Sequence, residues 1–315
     1  MKPYHWESHH GNFGDDLNLW LWDYLLPGLR DSHPDVLLVG VGTVLNPVLL
    51  PTGTRKLVIG SGYGYGMPPD ITNTAEWDVR CVRGPLTAAK LNLPTEMGIV
   101  DPAVMVADMP EFRNQPKRYK KTFIPHWESA EFGIWKQACE PAGLTYLDPR
   151  EEAKSVITRI AQSEFIVAES MHGAILADAF RVPWVAVSTS RSINNFKWTD
   201  WASSVGATYA PRYVPVSTRA EAVRKQSRFW GLKFPNAQEN APAPYPGADT
   251  VATLSRQATS GGSFRSVAKQ MLAAPSTLAL WQASRAEPQL SPDGALEAKK
   301  ERFMQVIEGV RRDYF

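Results

Sequence analysis

The sequence predicts an α/β protein built from two nucleotide-fold domains, and three observations carry that reading. Short apolar runs recur and end in glycines. One stretch, Phe165 to Ser188, spells out strand, polar turn, helix and strand. A polar, proline-containing break from Pro110 to Lys121 separates two series of such units. Alternation of strand and helix with glycine at strand ends is the pattern of a doubly wound sheet at its ligand edge. A length of 315 residues also favours two cores over one.

Taken in order, Asn12-Phe13-Gly14-Asp15-Asp16 opens an amphipathic helix with Leu17, Trp20, Leu21, Tyr24 and Leu25 at three-four spacing. Its two acids fall where a helix dipole favours negative charge. Val36 to Val41, Leu57 to Ile59 and Val79 to Val82 are short buried strands. Arg83-Gly84-Pro85 turns the third into a helix reaching Leu91, with proline near its first position. Residues 1–108 therefore read as the first domain. The second, 122–215, starts with a strand at Thr122 to Ile124. A helix near Ala130 to Glu140, a strand at Leu144 to Leu147 and a helix from Glu151 to Gln162 follow.

Next comes the βαβ unit: a strand at Phe165 to Ala168, a turn at Glu169 to Gly173, a small-residue helix from Ala174 to Phe180, and a strand at Val182 to Val187. A helix over Asn194 to Val205 closes the domain. Residues 216–315 form an extension with low-complexity loops at Asn236 to Pro246 and Thr259 to Ser263. Two helices complete it, Phe264 to Trp281 and Leu296 to Arg312. The last carries an apolar face that either packs on the body or lies on a membrane surface. The two domains share one string, His5-Trp6-Glu7-Ser8 and His126-Trp127-Glu128-Ser129, each after its domain's first strand.

Composition narrows the function. A net charge of +2 predicts no general affinity for nucleic acid. Cys81 and Cys139, far apart in apolar contexts, read as buried thiols of a reducing compartment. The start of the chain shows no apolar signal region and no stretch is long enough to span a membrane, so a cytoplasmic protein is expected.

The candidate site is the turn at Glu169 to Gly173, because ligands of such folds bind at carboxyl ends of strands and at helix N-termini. His172 suits a general acid; a structural turn histidine is the alternative. Arg83 either aims a guanidinium fork at a carboxylate or phosphate, or caps the sheet edge. Asp15, Asp16 and Glu169 are available as bases, although Asp15 and Asp16 also serve as helix N-terminal charges. His5, His9 and His10 lack a partner set at zinc spacing, so no metal is expected. The glycines from Gly60 to Gly66 do not follow the dinucleotide pattern. Asn195, Lys197, Trp198 and Trp201 combine aromatic and polar groups as a sugar-stacking surface does, or simply belong to the core.

Together the ordered strings Asn12-Phe13-Gly14-Asp15-Asp16, Val82-Arg83-Gly84-Pro85-Leu86-Thr87, Val100-Asp101-Pro102-Ala103, Ile124-Pro125-His126 and Ser170-Met171-His172-Gly173 resemble the polysaccharide pyruvyl transferase family. The likeness is strongest to the ketal-forming members of succinoglycan and xanthan synthesis and covers residues 8–205. It implies a GT-B-like fold of two facing Rossmann-like domains, with extra C-terminal helices crossing back. It also implies transfer of the enolpyruvyl unit of phosphoenolpyruvate to two hydroxyls of a hexose on a lipid-linked oligosaccharide. Phosphate leaves, and no cofactor, metal or nucleotide sugar takes part.

The resemblance makes His172 the acid/base group, has Arg83 hold the donor's phosphate or carboxylate, and lines the donor pocket with His126, Ser170 and Gly173. Asn12, Asp15 and Asp16 face the cleft from the other domain, and Asn12, Asn195 and Trp198 are assigned to the acceptor. Many relatives carry Arg-Leu-His where this chain has Ser170-Met171-His172, so one guanidinium of the anion clamp is missing. Lys197 or Arg191 is expected to replace it. The competing readings are a glycosyltransferase with a nucleotide-sugar donor and a non-catalytic glycan-binding partner. A lipid-linked acceptor would also bring peripheral membrane contact.

Overall fold

The computed structural model describes residues 1–7, 9–233 and 270–315, and holds two separate parallel sheets rather than one continuous sheet. The first comprises β1 (Lys2–Tyr4), β2 (Val36–Val39), β3 (Arg55–Ile59) and β4 (Trp77–Cys81), in the order β1-β2-β3-β4. The second comprises β5 (Thr122–Ile124), β6 (Thr145–Tyr146), β7 (Ile166–Ala168), β8 (Trp184–Ser188) and β9 (Arg212–Tyr213), in the order β6-β5-β7-β8-β9.

That second order reverses between β5 and β7. A reversal leaves a crevice at the carboxyl ends of the strands on either side, because their crossovers leave in opposite directions. Pro125-His126 follows one of those strands and Glu169-Ser170 the other. The first sheet does not reverse, which corrects the expectation of a doubly wound fold in residues 1–108. Its β2–β3 and β3–β4 connections contain no helix, since residues 40–54 and 60–76 are rich in glycine and proline.

Side chains alternate between faces along each strand, and the alternation sorts the core into layers. Leu38, Leu57 and Ile59 of the first sheet share one apolar cluster with Ile124, Ile166, Ala168, Trp184 and Ala186 of the second. Two helices, α1 (Leu21–Leu25) and α2 (Pro85–Lys90), belong to the first half. The second half begins its helices with α3 (Trp127–Phe132), α4 (Trp135–Ala142) and α5 (Ala153–Ala161). It continues with α6 (Met171–Ala179), α7 (Asn195–Ser204) and α8 (Arg219–Arg224). Helices α5 and α6 and the 3-10 turn Pro102–Asp108 fill the shared layer. The opposite faces have their own clusters, around Val39 and Val58 in one half and around Phe123, Val167 and Val187 in the other.

Of the extension, α9 (Ala274–Ala283) packs on α4 through Leu280 and Ala283. Helix α10 (Ala295–Tyr314) crosses back to the first half. It buries Leu296, Phe303, Ile307 and Val310 and pairs Lys300 with Asp108 and Arg80 with Asp313. The apolar face expected to choose between the body and a membrane is thus inside the protein. No helix among the described residues is long and apolar enough to cross a membrane. The expected loops at Asn236 to Pro246 and Thr259 to Ser263, and the first residues of the helix expected from Phe264, lie outside the described residues.

Candidate active site

Helix α6 begins three residues earlier than its apolar pattern suggests. Ser170 caps it, its Oγ accepting from the Gly173 N–H at 3.3 Å, so His172 lies in the first helical turn rather than in a loop. Gly173 sits where a Cβ would approach Ile124 Cγ2 to 2.6 Å, so only glycine lets the helix press this closely on β5. Ser170 thus serves α6 as its cap and Gly173 gives it a close contact with β5.

From the other half, the Asn12–Asp16 loop closes over the imidazole. Phe13 meets the His172 ring edge-on at 6.5 Å, and a Cβ on Gly14 would fall 2.0 Å from His172 Nδ1. The loop is a 3-10 turn at Asp15–Leu19, not the start of a continuous α-helix. Asn18 breaks it by taking the Val41 N–H and the Trp22 indole on its Oδ1. Asn12 donates to Asp15 Oδ2 and belongs to this loop. Asp101, quoted in a motif but assigned no role, lies beneath: its Oδ2 is 3.9 Å from His172 Nε2. Neither atom has a hydrogen-bond partner among the described residues, and Asp101 is fully buried. The Val100-Asp101-Pro102-Ala103 string was the available signal.

Lys197 joins the group from α7. Its charge acts on Asp15, His126 and His172 alike, and its Nζ donates to Tyr65 Oη at 3.2 Å. Arg191 is exposed. Electrostatics then separates the titrating groups. Burial, with the Lys197 and Arg83 charges added, pushes His172 down to about 3. Burial followed by Lys197 and Lys225 brings His126 to about 3 as well. Asp15 moves the other way, to about 7, because burial and the nearby Asp16 and Asp101 outweigh Lys197 and the Asn12 bond. Burial likewise raises Asp101 to about 6 against the pull of Arg83. The imidazoles of His126 and His172 are therefore neutral, and of these four groups Asp15 lies nearest neutral pH. Burial raises Asp16 too.

Three expected residues occupy other surroundings. Arg83 is 0% exposed, not a surface arginine at a strand end. Its Nε donates to Asp200 Oδ2 at 3.1 Å, Nη1 to Thr43 Oγ1 at 2.7 Å and Nη2 to the Tyr63 carbonyl at 2.9 Å. A Cβ on Gly62 would strike the guanidinium at 2.1 Å, so this glycine makes the arginine's room. Arg83 thus ties the first half to α7 while its charge reaches Asp101 and His172.

Glu169 is enclosed rather than available as a base. It accepts from the His126 N–H at 2.9 Å, the Thr189 N–H at 3.3 Å, Lys225 Nζ at 3.0 Å and the Ser129 and Thr189 hydroxyls. Burial alone would raise this carboxyl, yet Lys225, His126 and the two hydroxyls hold it at about 2. It fixes the backbone of His126 against the end of β7. Trp198 is 0% exposed inside a cluster with Trp184, Trp201 and Tyr209, so it presents no sugar-stacking face. Asn195, one turn earlier, is exposed.

A lysine, two neutral imidazoles and a carboxyl raised toward neutrality act on one another where the two halves meet. Comparison with known proteins supplies the family. Residues 72–191 match the model of the polysaccharide pyruvyl transferase family. Over its full length the chain is 63% identical, across 319 aligned residues, to the succinoglycan biosynthesis protein ExoV of Rhizobium meliloti (strain 1021), all of which it covers. The chain belongs to the polysaccharide pyruvyl transferase family and is a transferase enzyme of polysaccharide pyruvylation. No solved structure matches it.

Proposed function

We propose that the enzyme transfers pyruvate from phosphoenolpyruvate to a hexose of a succinoglycan-type repeat unit, carried as a lipid-linked oligosaccharide, forming a cyclic ketal and releasing phosphate. The observation that carries this reading is Lys197, whose charge acts on His126, His172 and Asp15 together, the counter-charge an anionic donor needs. The GT-B-like arrangement of facing domains suits the two separate sheets whose strand-end loops supply these groups.

The chemistry follows from their protonation. Protonating the methylene carbon of the enol phosphate leaves an oxocarbenium-like centre at the ketal carbon, which one sugar hydroxyl attacks. Loss of phosphate then admits the second hydroxyl. One hydroxyl proton replaces the proton delivered to carbon, and the other leaves with phosphate. A carboxyl raised to about 7, as Asp15 is, holds the required proton at neutral pH. Neutral His172 is the group available to accept a hydroxyl proton, the base half of its acid/base role. Lys197 supplies positive charge for the donor's carboxylate or phosphate, and Arg83, paired with Asp200, adds only its field at His172 and Asp101.

The test is purified protein with phosphoenolpyruvate and a pyruvate-free lipid-linked repeat unit, read by phosphate release and by mass spectrometry of the glycan. The reading predicts both signals in equal amounts. Pyruvylation with a different donor and none with phosphoenolpyruvate would reject it. A lipid-linked acceptor implies peripheral membrane contact through a surface other than the buried apolar face of α10.

A further inference from the structure

We infer that the paired His-Trp strings form the acceptor platform, with Trp6 and Trp127 stacking on a hexose ring beside the transfer site. This rests on the pyruvyl-transfer reading and adds the acceptor's place to it. The strings lie 121 positions apart in sequence, each just past the first strand of its sheet, yet they meet in space. The Trp6 and Trp127 rings stand 6.1 Å apart at 43°, an angle that opens a wedge instead of closing a stack. His10 lies parallel to Trp127 at 6.4 Å, and the His126 ring stands 5.6 Å from it at 41°.

Exposure distinguishes this pair from the tryptophans first considered. Trp184, Trp198 and Trp201 are sealed in the core, whereas Trp6 and Trp127 are half-buried, as are His10 and His126, whose side chains are 29% and 20% exposed. A half-buried indole pair held by packing leaves part of its apolar surface open to water, and a sugar's C–H face covers such a surface at little entropic cost. The rim has the polar groups that hydroxyls require. Glu131 approaches His10 Nδ1 at 3.7 Å and accepts from Arg150, whose Nε and Nη2 hold Asp148 at 2.9 and 2.8 Å. His126 links the platform to the chemistry, because the Lys197 charge acts on its ring. A hexose on the wedge is therefore one aromatic ring away from the groups that would carry the transfer.

The platform also accounts for the close fit of the two halves here. The Phe13 N–H donates to the Pro149 carbonyl at 3.1 Å, and Gly11 adopts φ +78° with its α-carbon pressed toward the Arg150 carbonyl.

The experiment titrates the pyruvate-free succinoglycan repeat oligosaccharide and, separately, phosphoenolpyruvate into wild-type, Trp6→Ala, Trp127→Ala and Trp127→Phe proteins by calorimetry. Each alanine variant should bind the oligosaccharide about tenfold more weakly, the loss of one stacking face. Trp127→Phe should recover most of that affinity, and phosphoenolpyruvate affinity should stay unchanged throughout. Hydroxyl-radical footprinting of the wild type reads the same contact without substitution: the oligosaccharide should protect Trp6 and Trp127, and phosphoenolpyruvate should not. Undiminished oligosaccharide affinity in both alanine variants, or no protection of either tryptophan, overturns the platform. Tryptophan-dependent oligosaccharide binding without turnover of phosphoenolpyruvate would instead uphold the platform and reject the donor.

Discussion

Asp15 carries a distinct pH signature. Its carboxyl is raised by burial to about 7, so the folded protein holds a proton there that the unfolded chain releases near the ordinary aspartate value. The stability this gives is complete below about pH 4 and is lost as pH rises through 7. As an acid, Asp15 should make turnover fall over the same upper range. Asp15→Asn should lower pyruvyl transfer by about two to four orders of magnitude and flatten the loss of stability between pH 5 and 8. Rate profiles and denaturant melts at those pH values check both. Arg83 is the second residue whose environment changes the expectation. Its partner Asp200 is also fully buried, and removing one member of such a pair strands the other. Arg83→Ala should therefore destabilise by about 3–5 kcal/mol, with the Arg83→Met/Asp200→Leu double variant losing less than the sum of the singles. Chemical denaturation measures it.

At the scale of the element, the Asn12–Asp16 loop is positioned by contact with α6 rather than by its own helical propensity. A methyl group at Gly14 has no room beside His172 Nδ1. Gly14→Ala should displace the loop, with Asp15 in it, and reduce turnover by about 10²-fold while the melting temperature changes by only a few degrees. Steady-state rates and thermal melts separate the two effects. The strands and most helices were legible because local chemistry dictates them: proline at the start of α2, Glu152 before α5, Asn194 before α7. The site was legible at His172, His126, Asp15 and Lys197 because their polar groups interrupt apolar runs at strand and helix ends. What could not be read is what tertiary packing decides. Tryptophans three apart in α7 suit a sugar face or a core equally, and burial chose the core. Glu169 reads as a base until Lys225, far along the chain, is seen to neutralise it. His172 looks like an acid until its burial beside Lys197 and Arg83 is known.

Across the whole molecule, the two sheets share one apolar layer, and α10 seals it from the far end of the chain. Phe303 is 0% exposed within that layer. Phe303→Ala should cost about 3–5 kcal/mol and melt both halves in a single transition, because they are not independent cores. Calorimetry with two resolved transitions would contradict that. The shared layer also explains why no single half holds the site: Asp15, Arg83 and Asp101 come from one, His126, His172 and Lys197 from the other. The first sheet's lack of a strand reversal, set by glycine-rich connections, leaves the crevice of the second sheet as the place where the strand ends offer a ligand site.

On the pyruvyl-transfer reading, Lys197 supplies the counter-charge missing at Ser170. The most direct measurement of this is calorimetric titration of phosphoenolpyruvate into Lys197→Met, with Arg191→Met alongside as the control for an exposed cation nearby. The Lys197 charge lowers Asp15, His126 and His172 together, so its loss should also shift every limb of the pH–rate profile upward. The account predicts that Lys197→Met weakens donor affinity by about 10- to 100-fold, the worth of a charge-assisted contact, while Arg191→Met leaves it unchanged. Equal and negligible effects of the two substitutions would contradict it.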